Sequence, residues 1–250
     1  MRKTKSKKPL VSVVIRTYNE EKWVGETLKR LFEGNFKDFE VIVVDSGSTD
    51  KTLVILKKFP IKKLIKIKKK NYSPGYALNL GIQNSKGKFI CILSAHSVPV
   101  GKDFLSLGLK PLLENPKICG VDGFYSALPD GSLWEKRRIG TYIWGYLLGL
   151  SDPKGPYSTI DNTHAIIRKS CWEKYHFDES LEGSEDYDWA QEMIARGYKV
   201  KRIPRFFCLH SHGLNRKQED ARKIVWAKRK IKIDKRKRPQ KALHSTKTKK

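Results

Sequence analysis

Two acidic residues at the start of a predicted helix are the strongest candidates for catalysis in this 250-residue chain. Glu185 and Asp186 follow Gly183-Ser184 and open SEDYDWAQEMIARG (184–197), which has helical spacing and a glycine stop. A carboxylate can take the proton of a substrate hydroxyl that lies within hydrogen-bond reach. An acidic first turn also complements the helix dipole without any catalytic role. Both interpretations stay open here, and one carboxylate can be the base while its neighbour is a cap.

Polar residues also follow three predicted strands, VSVVI (11–15), FEVIVV (39–44) and KFICILS (88–94). In chain order these polar ends are Arg16-Thr17-Tyr18-Asn19-Glu20, Asp45-Ser46-Gly47-Ser48 and Ser94-Ala95-His96. Because ligands of open α/β sheets bind outside the carboxyl ends of the strands, one pocket is predicted from members of all three groups: Thr17, Asn19, Asp45 and His96. In this pocket, His96 is predicted to be a ligand for a metal or a phosphate. The alternative is a structural histidine whose imidazole makes its hydrogen bonds within a turn.

Apolar strands alternate with amphipathic helices along the first half of the chain. Helices are predicted over 21–32, 48–59, 74–85 and 104–113, and a lysine-laced third strand (61–67) is predicted at a sheet edge. The second half contains a predicted strand (119–126), a loop-rich stretch (127–163) and two closing strands (198–203 and 206–212). This alternation predicts an α/β fold with a mostly parallel central sheet and helices on both faces.

The charge of the chain is strongly basic and unevenly distributed. The net charge is +26, and residues 216–250 carry half of it. We therefore predict a basic arm (1–9), one domain (10–213) and a basic C-terminal helix and tail (214–250). The tail mixes Ile224, Val225, Trp226 and Ile231 with lysine and arginine, as in segments that lie on anionic membranes. The alternative is a disordered, solvated tail.

Several classes of protein are disfavoured by missing motifs. No GxGxxG follows a strand, which disfavours a dehydrogenase. GIQNSKGKF (81–89) departs from the pattern of a phosphate-binding loop, which disfavours an ATPase. Four scattered cysteines, without a CxxC pair, predict reduced thiols and no structural zinc site. The apolar runs 10–15 and 141–150 are too short for a signal core or a membrane span. We predict a cytoplasmic location, peripheral at the inner face of the membrane if the tail binds lipid.

Long ordered stretches of the chain resemble family 2 glycosyltransferases with the GT-A fold, a Rossmann-like single domain. The resemblance rests on VSVVIRTYNEEKWVGETLKRL, FEVIVVDSGSTDKT, YALNLGIQNSKGKFICILSAHSVP and NTHAIIRKSCWEKYHFDESLEGSEDYDWAQEMIARGYKV followed by LHSH, within about residues 10–213. The subtype is similar to the rhamnosyltransferase-like, polysaccharide-building branch. The resemblance implies an inverting enzyme that moves a sugar from a nucleotide-sugar donor to a hydroxyl of a glycan or lipid-linked acceptor.

The resemblance also implies roles for individual residues. Asp186 would be the general base, with Glu185 beside it. His212, or less favourably His210, would be the late ligand that meets the metal and the diphosphate. The implied nucleotide-binding residues are Thr17, Tyr18, Asn19 and Glu20 by the nucleotide, Asp45 at the base, and Asn79 and Gly81 by the ribose and diphosphate.

One motif departs from the family pattern. Ser94-Ala95-His96 occupies the place of an Asp-x-Asp motif, and both aspartates are absent. Histidine coordinates Mn²⁺ or Zn²⁺ but is a poor partner for Mg²⁺, so Mn²⁺ is the preferred cation. Three alternatives stay open: a metal held by His96 and His212 with the diphosphate, a metal-free site with imidazolium, lysine or arginine, and an inactive site.

Two other classes of function compete with the enzyme. One is a non-catalytic relative that binds nucleotide-sugars; the other is a basic nucleic-acid-binding protein. Acidic residues at strand ends and at the helix start would repel phosphates and disfavour nucleic acid. Less specific candidates are Trp134, Trp144 and Tyr157 as acceptor-stacking or packing residues, Asp161 and Asn162 as cleft or turn residues, and lysines 57–70 as a solvated edge.

Overall fold

A sheet of eight strands organises the residues that the computed structural model describes, 8–137 and 159–239. The strands are β1 (Val11–Thr17), β2 (Phe39–Asp45), β3 (Lys63–Lys66), β4 (Phe89–Ser94), β5 (Val98–Pro99), β6 (Ile118–Ser126), β7 (His164–Arg168) and β8 (Lys199–Leu209). Their spatial order is β3-β2-β1-β4-β7-β6-β8-β5. The lysine-rich β3 lies at one edge of the sheet, as predicted.

The first four strands in this order run parallel and bring three chain segments to one edge. β1 pairs with both β2 and β4, because its valines and isoleucine are buried on both faces of the sheet. In the register of these pairs, Thr17 lies beside Asp45 and Arg16 lies beside Ser94. The predicted convergence of the three polar strand ends is therefore confirmed.

Strand β7 runs antiparallel between β4 and β6. Its first residues lie where β4 ends, and the Ser94 amide donates a hydrogen bond to the carbonyl of Thr163. β7 therefore delivers Asp161 and Asn162, which precede it, to the same edge of the sheet as the parallel strands. The parallel pairing of β6 with β8 keeps the sheet mostly parallel.

The two closing strands that we predicted over 198–203 and 206–212 form one strand, β8. The prediction was wrong because Pro204, which lacks an amide hydrogen, does not end the strand. The register between β6 and β8 shifts after Gly123 and Ile203, and pairing resumes at Tyr125 and Cys208. This irregularity accommodates the proline without a break.

Helices cover both faces of the sheet. They are α1 (Val24–Glu33), α2 (Thr52–Leu56), α3 (Pro74–Gln83), α4 (Phe104–Glu114), α5 (Lys169–Trp172), α6 (Glu185–Ala195) and α7 (Arg216–Asp234), with a 3₁₀ turn at Lys69–Asn71. α1 and α4 pack in one apolar core, and α3 and α6 in the other. α2 is shorter than predicted (48–59), because the preceding residues form the turn that follows β2. Within the described ranges, no helix combines the length and hydrophobicity needed to cross a bilayer.

The basic C-terminal segment forms an ordered helix, α7, that packs against α6. Ile233 is buried, and the Tyr187 hydroxyl donates to Asp234. Beyond the helix, Arg236 and Arg238 both bond the fully buried carboxylate of Asp188, at 3.1 and 2.8 Å. A buried carboxylate with two guanidinium partners is fully paired, so these contacts fix α7 relative to the start of α6.

Candidate active site

A cleft runs along the strand ends and continues to the start of α6. It has two parts. The strand-end cavity, about 390 Å³, is lined by Arg16, Thr17, Tyr18, Glu20, Ser46, Lys69, Tyr72, Ser94, His96 and His212. The helix-start cavity, about 320 Å³, includes Asp161, Asn162, Glu185, Asp186, Trp226 and Lys230 in its lining. Arg16, Ser94 and His212 line both cavities and mark their junction.

The strand-end cavity contains three of the predicted nucleotide-binding residues: Thr17, Tyr18 and Glu20. The buried Thr17 hydroxyl has no hydrogen-bond partner among the described residues, so it is available to a ligand. The Tyr18 hydroxyl accepts a hydrogen bond from the Lys69 ammonium at 2.9 Å. Lys69 belongs to the lysine run that we interpreted as a solvated edge. Lys69 is exposed, as that interpretation expected, and the 3₁₀ turn also places it in the lining of the cavity.

Asn19 and Asp45 connect the two strand-end loops. Asn19 has a left-handed backbone (φ 52°), and its side-chain oxygen accepts from the Thr49 amide at 2.8 Å. The buried Asp45 carboxylate accepts from the amides of Gly47 and Ser48, both at 3.1 Å. Neither residue lines the strand-end cavity. Both therefore shape this end of the cleft, and their direct contact with a nucleotide stays a prediction.

Asn79 and Gly81 do not face the cleft, so their implied positions by ribose and diphosphate are wrong. The Asn79 side chain is buried; it donates to the Phe177 carbonyl at 2.8 Å and accepts from the Trp172 indole at 2.9 Å. A Cβ at Gly81 would clash with the side chain of Val14. Gly81 instead allows α3 to pack closely on the sheet, and Asn79 connects α3 to α5 and to the loop after it.

Three histidines meet at the junction of the two cavities. His96, His210 and His212 each offer a ring nitrogen, and these nitrogens lie within 4.8 Å of one another. The Nε2 atoms of His210 and His212 are 3.2 Å apart. The resemblance implied a choice between His210 and His212, whereas the structure brings both to His96. His210 and His212 are two residues apart directly after β8. In extended chain this spacing places both side chains on the same side, so the sequence contained a signal for the pair.

Polar partners orient two of these rings. The Nδ1 atom of His96 is 2.8 Å from the Glu20 carboxylate, and the Nδ1 atom of His210 is 3.0 Å from the Ser97 hydroxyl. The buried Nε2 atom of His96 makes no hydrogen bond to any residue of the described ranges. A carboxylate on the far nitrogen of a histidine is the usual outer partner of a metal ligand. Glu20, predicted beside the nucleotide, thus also positions His96.

The histidine cluster fits a transition metal better than Mg²⁺. Burial, followed by repulsion from His96 and from the other ring, holds the pKa of His210 well below its usual range. The pKa of His212 is lowered by burial and by His96 in the same way. Neutral rings keep their lone pairs free for a metal. Three nitrogen donors suit Mn²⁺, Zn²⁺ or Co²⁺, whereas Mg²⁺ requires oxygen ligands.

The two predicted catalytic carboxylates have different surroundings. Glu185 is buried, accepts from the Asn162 side-chain amide at 3.1 Å and lies 3.6 Å from the Arg16 guanidinium. Asp186 is half-buried and accepts from the backbone amides of Asn162 and Tyr187, at 3.2 and 2.7 Å. Glu185 therefore fixes the helix start to its neighbours. Asp186 lines the cavity, and within the described ranges its hydrogen-bond partners are backbone amides. Asn162 faces the cleft, as one of our two interpretations expected.

The pKa of Asp186 is raised above the usual range of an aspartate. The causes are burial first, then the charges of Glu185 and Asp161. A carboxyl whose pKa approaches the working pH is better matched to proton transfer than an ordinary one. The location of Asp186 and its raised pKa make it a candidate proton acceptor in this cavity.

Helix α7 adds two residues that the sequence did not indicate as part of the cleft. Trp226 and Lys230 line the helix-start cavity opposite the start of α6. The Lys230 ammonium lies 4.7 Å from the centre of the Tyr187 ring. Of the aromatic residues predicted to contact an acceptor, Trp134 lies outside both cavity linings and under the Arg216 guanidinium. Trp144 and Tyr157 lie outside the described residues.

Comparisons with known proteins agree with this geometry. The family model for glycosyl transferase family 2 matches residues 12–175. A Methanococcus voltae enzyme, the dolichyl N-acetyl-alpha-D-glucosaminyl phosphate 3-beta-D-2,3-diacetamido-2,3-dideoxy-beta-D-glucuronosyltransferase, is 28% identical over 78% of this chain and 64% of its own. An uncharacterised glycosyltransferase of Methanocaldococcus jannaschii is 29% identical over 80% of this chain and 69% of its own.

Two solved structures show a similar fold. The mannosyltransferase PcManGT from Pyrobaculum calidifontis, in complex with GDP-Man and Mn²⁺, has a TM-score of 0.66 at 20% identity, over 91% of this chain and 64% of that one. S. aureus TarS 1-349, in complex with UDP-GlcNAc, has a TM-score of 0.59 at 19% identity, over 84% of this chain and 60% of that one. This chain therefore spans less than two thirds of the length of these two structures and of the Methanococcus voltae relative.

Proposed function

This chain belongs to glycosyl transferase family 2 and is a glycosyltransferase of the GT-A fold, and we propose that it inverts the transferred sugar with Asp186 as general base. The donor is a nucleotide-sugar, and the acceptor is a hydroxyl of a glycan or of a lipid-linked sugar. The observation that carries the proposal is the position of the Asp186 carboxylate. It lines the helix-start cavity, which joins the strand-end cavity at Arg16, Ser94 and His212.

The two cavities suggest how the donor lies in the cleft. The strand-end cavity offers Thr17, Tyr18 and Lys69 to the nucleotide. The junction carries Arg16 and the histidine cluster, which suit the negative diphosphate. The sugar then extends into the helix-start cavity, within which Asp186 lies. Polar contacts to the nucleotide therefore lie on one side of the junction, and the proton acceptor lies on the other.

The proposed reaction is a single displacement. Asp186 takes the proton of the acceptor hydroxyl while the acceptor oxygen forms a bond to the anomeric carbon. The bond from that carbon to the diphosphate oxygen breaks, and the nucleoside diphosphate leaves with the electron pair. Attack from the face opposite the leaving group inverts the anomeric centre. Glu185 supports this step by holding the helix start and by raising the pKa of Asp186.

We propose a divalent cation at the histidine cluster, Mn²⁺ rather than Mg²⁺. His96, His210 and His212 would hold it, with Glu20 and Ser97 orienting the first two rings. When bound, such a cation offsets the negative charge that develops on the leaving diphosphate. The complex of PcManGT with GDP-Man and Mn²⁺ supports this choice of cation.

The proposed acceptors and location follow from the relatives and from the charge of the chain. The name of the Methanococcus voltae relative gives a dolichyl phosphate-linked sugar as its acceptor, which supports a lipid-linked acceptor here. We propose a cytoplasmic location, at the inner face of the membrane. Residues 214–250 are the segment that we propose to meet an anionic membrane surface. Nucleic acid is not a proposed partner, because Glu20, Asp161, Glu185 and Asp186 line the cleft and would repel its phosphates.

The pH dependence of transfer tests the role of Asp186. Asp186 must be ionised to accept a proton, and its pKa is raised. As the pH is lowered, we therefore expect kcat/KM to begin to fall at a higher pH than for an enzyme whose base is an ordinary aspartate. Glu185→Gln removes one of the charges that raise this pKa, so the acidic limb should move to lower pH. Glu182→Gln, at an exposed acid just before α6, should leave the acidic limb in place. A limb that Glu185→Gln does not move would contradict the assignment.

A further inference from the structure

Helix α7 exposes an apolar and basic surface that nothing in the described residues covers. Ile224 and Ile231 are 58% and 57% exposed, and Val225 is 44% exposed. Ile224 and Ile231 are seven residues apart, so they lie on one side of the helix, two turns from each other. Lys217 and Lys228 share that side by the same spacing and are also exposed. We call these five residues the outer face of α7.

The opposite side of α7 belongs to the catalytic cleft. Ile233 is buried, and Trp226 and Lys230 line the helix-start cavity. Lys230 lies over the ring of Tyr187, the residue that follows Asp186. Because the buried ion pairs of Arg236 and Arg238 fix the end of α7 to α6, the two sides of the helix are held in one orientation relative to the cleft.

We infer that α7 is an interfacial helix: its outer face binds an anionic lipid surface while its inner side forms a wall of the helix-start cavity. Bound in this way, the protein holds the cavity with Asp186 next to the lipid surface. Lipid binding by the outer face specifies the membrane contact proposed for residues 214–250, and it does not depend on the proposed sugar transfer. The further step, that this position presents a lipid-linked acceptor to Asp186, rests on the proposed function.

The chemistry of the outer face favours lipid over a protein or a nucleic acid. Its aliphatic side chains are separated by lysines, and lysine is depleted in protein–protein interfaces. At a membrane, aliphatic groups enter the acyl boundary while lysine ammoniums reach the lipid phosphates. Two acids of α7 are exposed: Asp220 is paired with Lys223 at 3.4 Å, and Asp234 accepts from the hydroxyl of Tyr187, which lines the cleft. A nucleic acid would satisfy the lysines but leave the isoleucines in water.

Sedimentation with vesicles tests the inference on the 250-residue chain. We expect binding to mixed phosphatidylglycerol and phosphatidylcholine vesicles and weak binding to phosphatidylcholine alone, because each lysine gains from the anionic surface. The double variant Ile224→Asp/Ile231→Asp should bind the mixed vesicles at least about tenfold more weakly. The matched control, Val54→Asp/Leu113→Asp, adds the same charge at exposed apolar residues of α2 and α4 and should bind like the wild type.

Each outcome decides the inference. Equal binding to both kinds of vesicle, absence of binding, or unchanged binding of Ile224→Asp/Ile231→Asp would overturn it. A dimer that this variant dissociates in sedimentation velocity would instead assign the outer face to a second copy of the chain. Hydrolysis of the donor in solution, measured for the same variant, should equal that of the wild type. If the wild type hydrolyses the donor but does not bind vesicles, the membrane inference is wrong and the proposed sugar transfer stands. If it binds vesicles but does not hydrolyse the donor, the membrane inference stands and the proposed sugar transfer is wrong.

Discussion

Asp186→Asn is expected to lower transfer to the acceptor by about 10²–10⁴-fold, the usual contribution of a positioned general base. The amide has the shape of the carboxylate but cannot take a proton at neutral pH. Binding of the donor should stay within about twofold of the wild type, since general-base catalysis acts on the acceptor proton. The measurements are kcat from nucleoside diphosphate release in the presence of acceptor, and the dissociation constant of the donor by calorimetry.

The matched control for this prediction is Glu182→Gln. It replaces an exposed acid on the loop that leads to α6, where the Glu182 carboxylate lies 3.6 Å from the Arg229 guanidinium. We expect its kcat to remain within about twofold of the wild type, as for most exposed substitutions. If Asp186→Asn kept near-wild-type transfer, the base would have to be sought elsewhere. Asp161, which lines the same cavity, would then be the next carboxylate to replace.

His96→Ala is expected to weaken the binding of Mn²⁺ by at least about 100-fold. Loss of a residue that only hydrogen-bonds a metal ligand commonly lowers metal affinity about 10- to 100-fold, and loss of the ligand itself should cost more. His96 supplies a buried ring nitrogen that has no partner among the described residues, and Glu20 orients the ring. Glu20→Gln should therefore weaken binding less, by about tenfold. Free Mn²⁺, measured by its electron paramagnetic resonance signal during titration, reports this affinity without any dependence on turnover.

His176→Ala provides the control, since this exposed ring stacks on Trp172 and lies outside the histidine cluster. Its affinity for Mn²⁺ should equal that of the wild type. Unchanged Mn²⁺ binding in His96→Ala would exclude the cluster as the metal site. The cations left to meet the diphosphate would then be Arg16 and Lys69, which line the strand-end cavity.

The parts of the structure that local patterns specify could be predicted from the sequence. Runs such as FICIL, at the start of β4 (Phe89–Ser94), are apolar on both faces, which requires a strand covered on both sides. Given a parallel sheet, the polar residues after each strand must share an edge, and the register of Thr17 with Asp45 confirms this. The acidic start of α6 could be predicted because Gly183-Ser184 before it and Trp189 after it are typical of a helix N-terminus.

Other parts depend on contacts between residues far apart in the chain. The direction of β7 is not encoded in its buried residues, since an apolar strand can pair either way. Asn79 has the polarity of a ligand-binding residue, and only the positions of Trp172 and Phe177 show that its side-chain oxygen accepts hydrogen bonds inside the protein. The sequence around Trp226 and Lys230 predicts a basic tail. Only the ion pairs of Arg236 and Arg238 with Asp188 show that α7 is held against α6.

The most direct test of sugar transfer at this cleft is release of nucleoside diphosphate from a panel of UDP-, GDP- and dTDP-sugars, with Mn²⁺, with Mg²⁺ and with EDTA. We predict release from one class of donor with Mn²⁺, much weaker release with Mg²⁺, and none with EDTA. Equal release in EDTA would contradict the metal site but keep the enzyme. If a donor binds and no combination gives release, the chain is a non-catalytic relative and the role of Asp186 is contradicted.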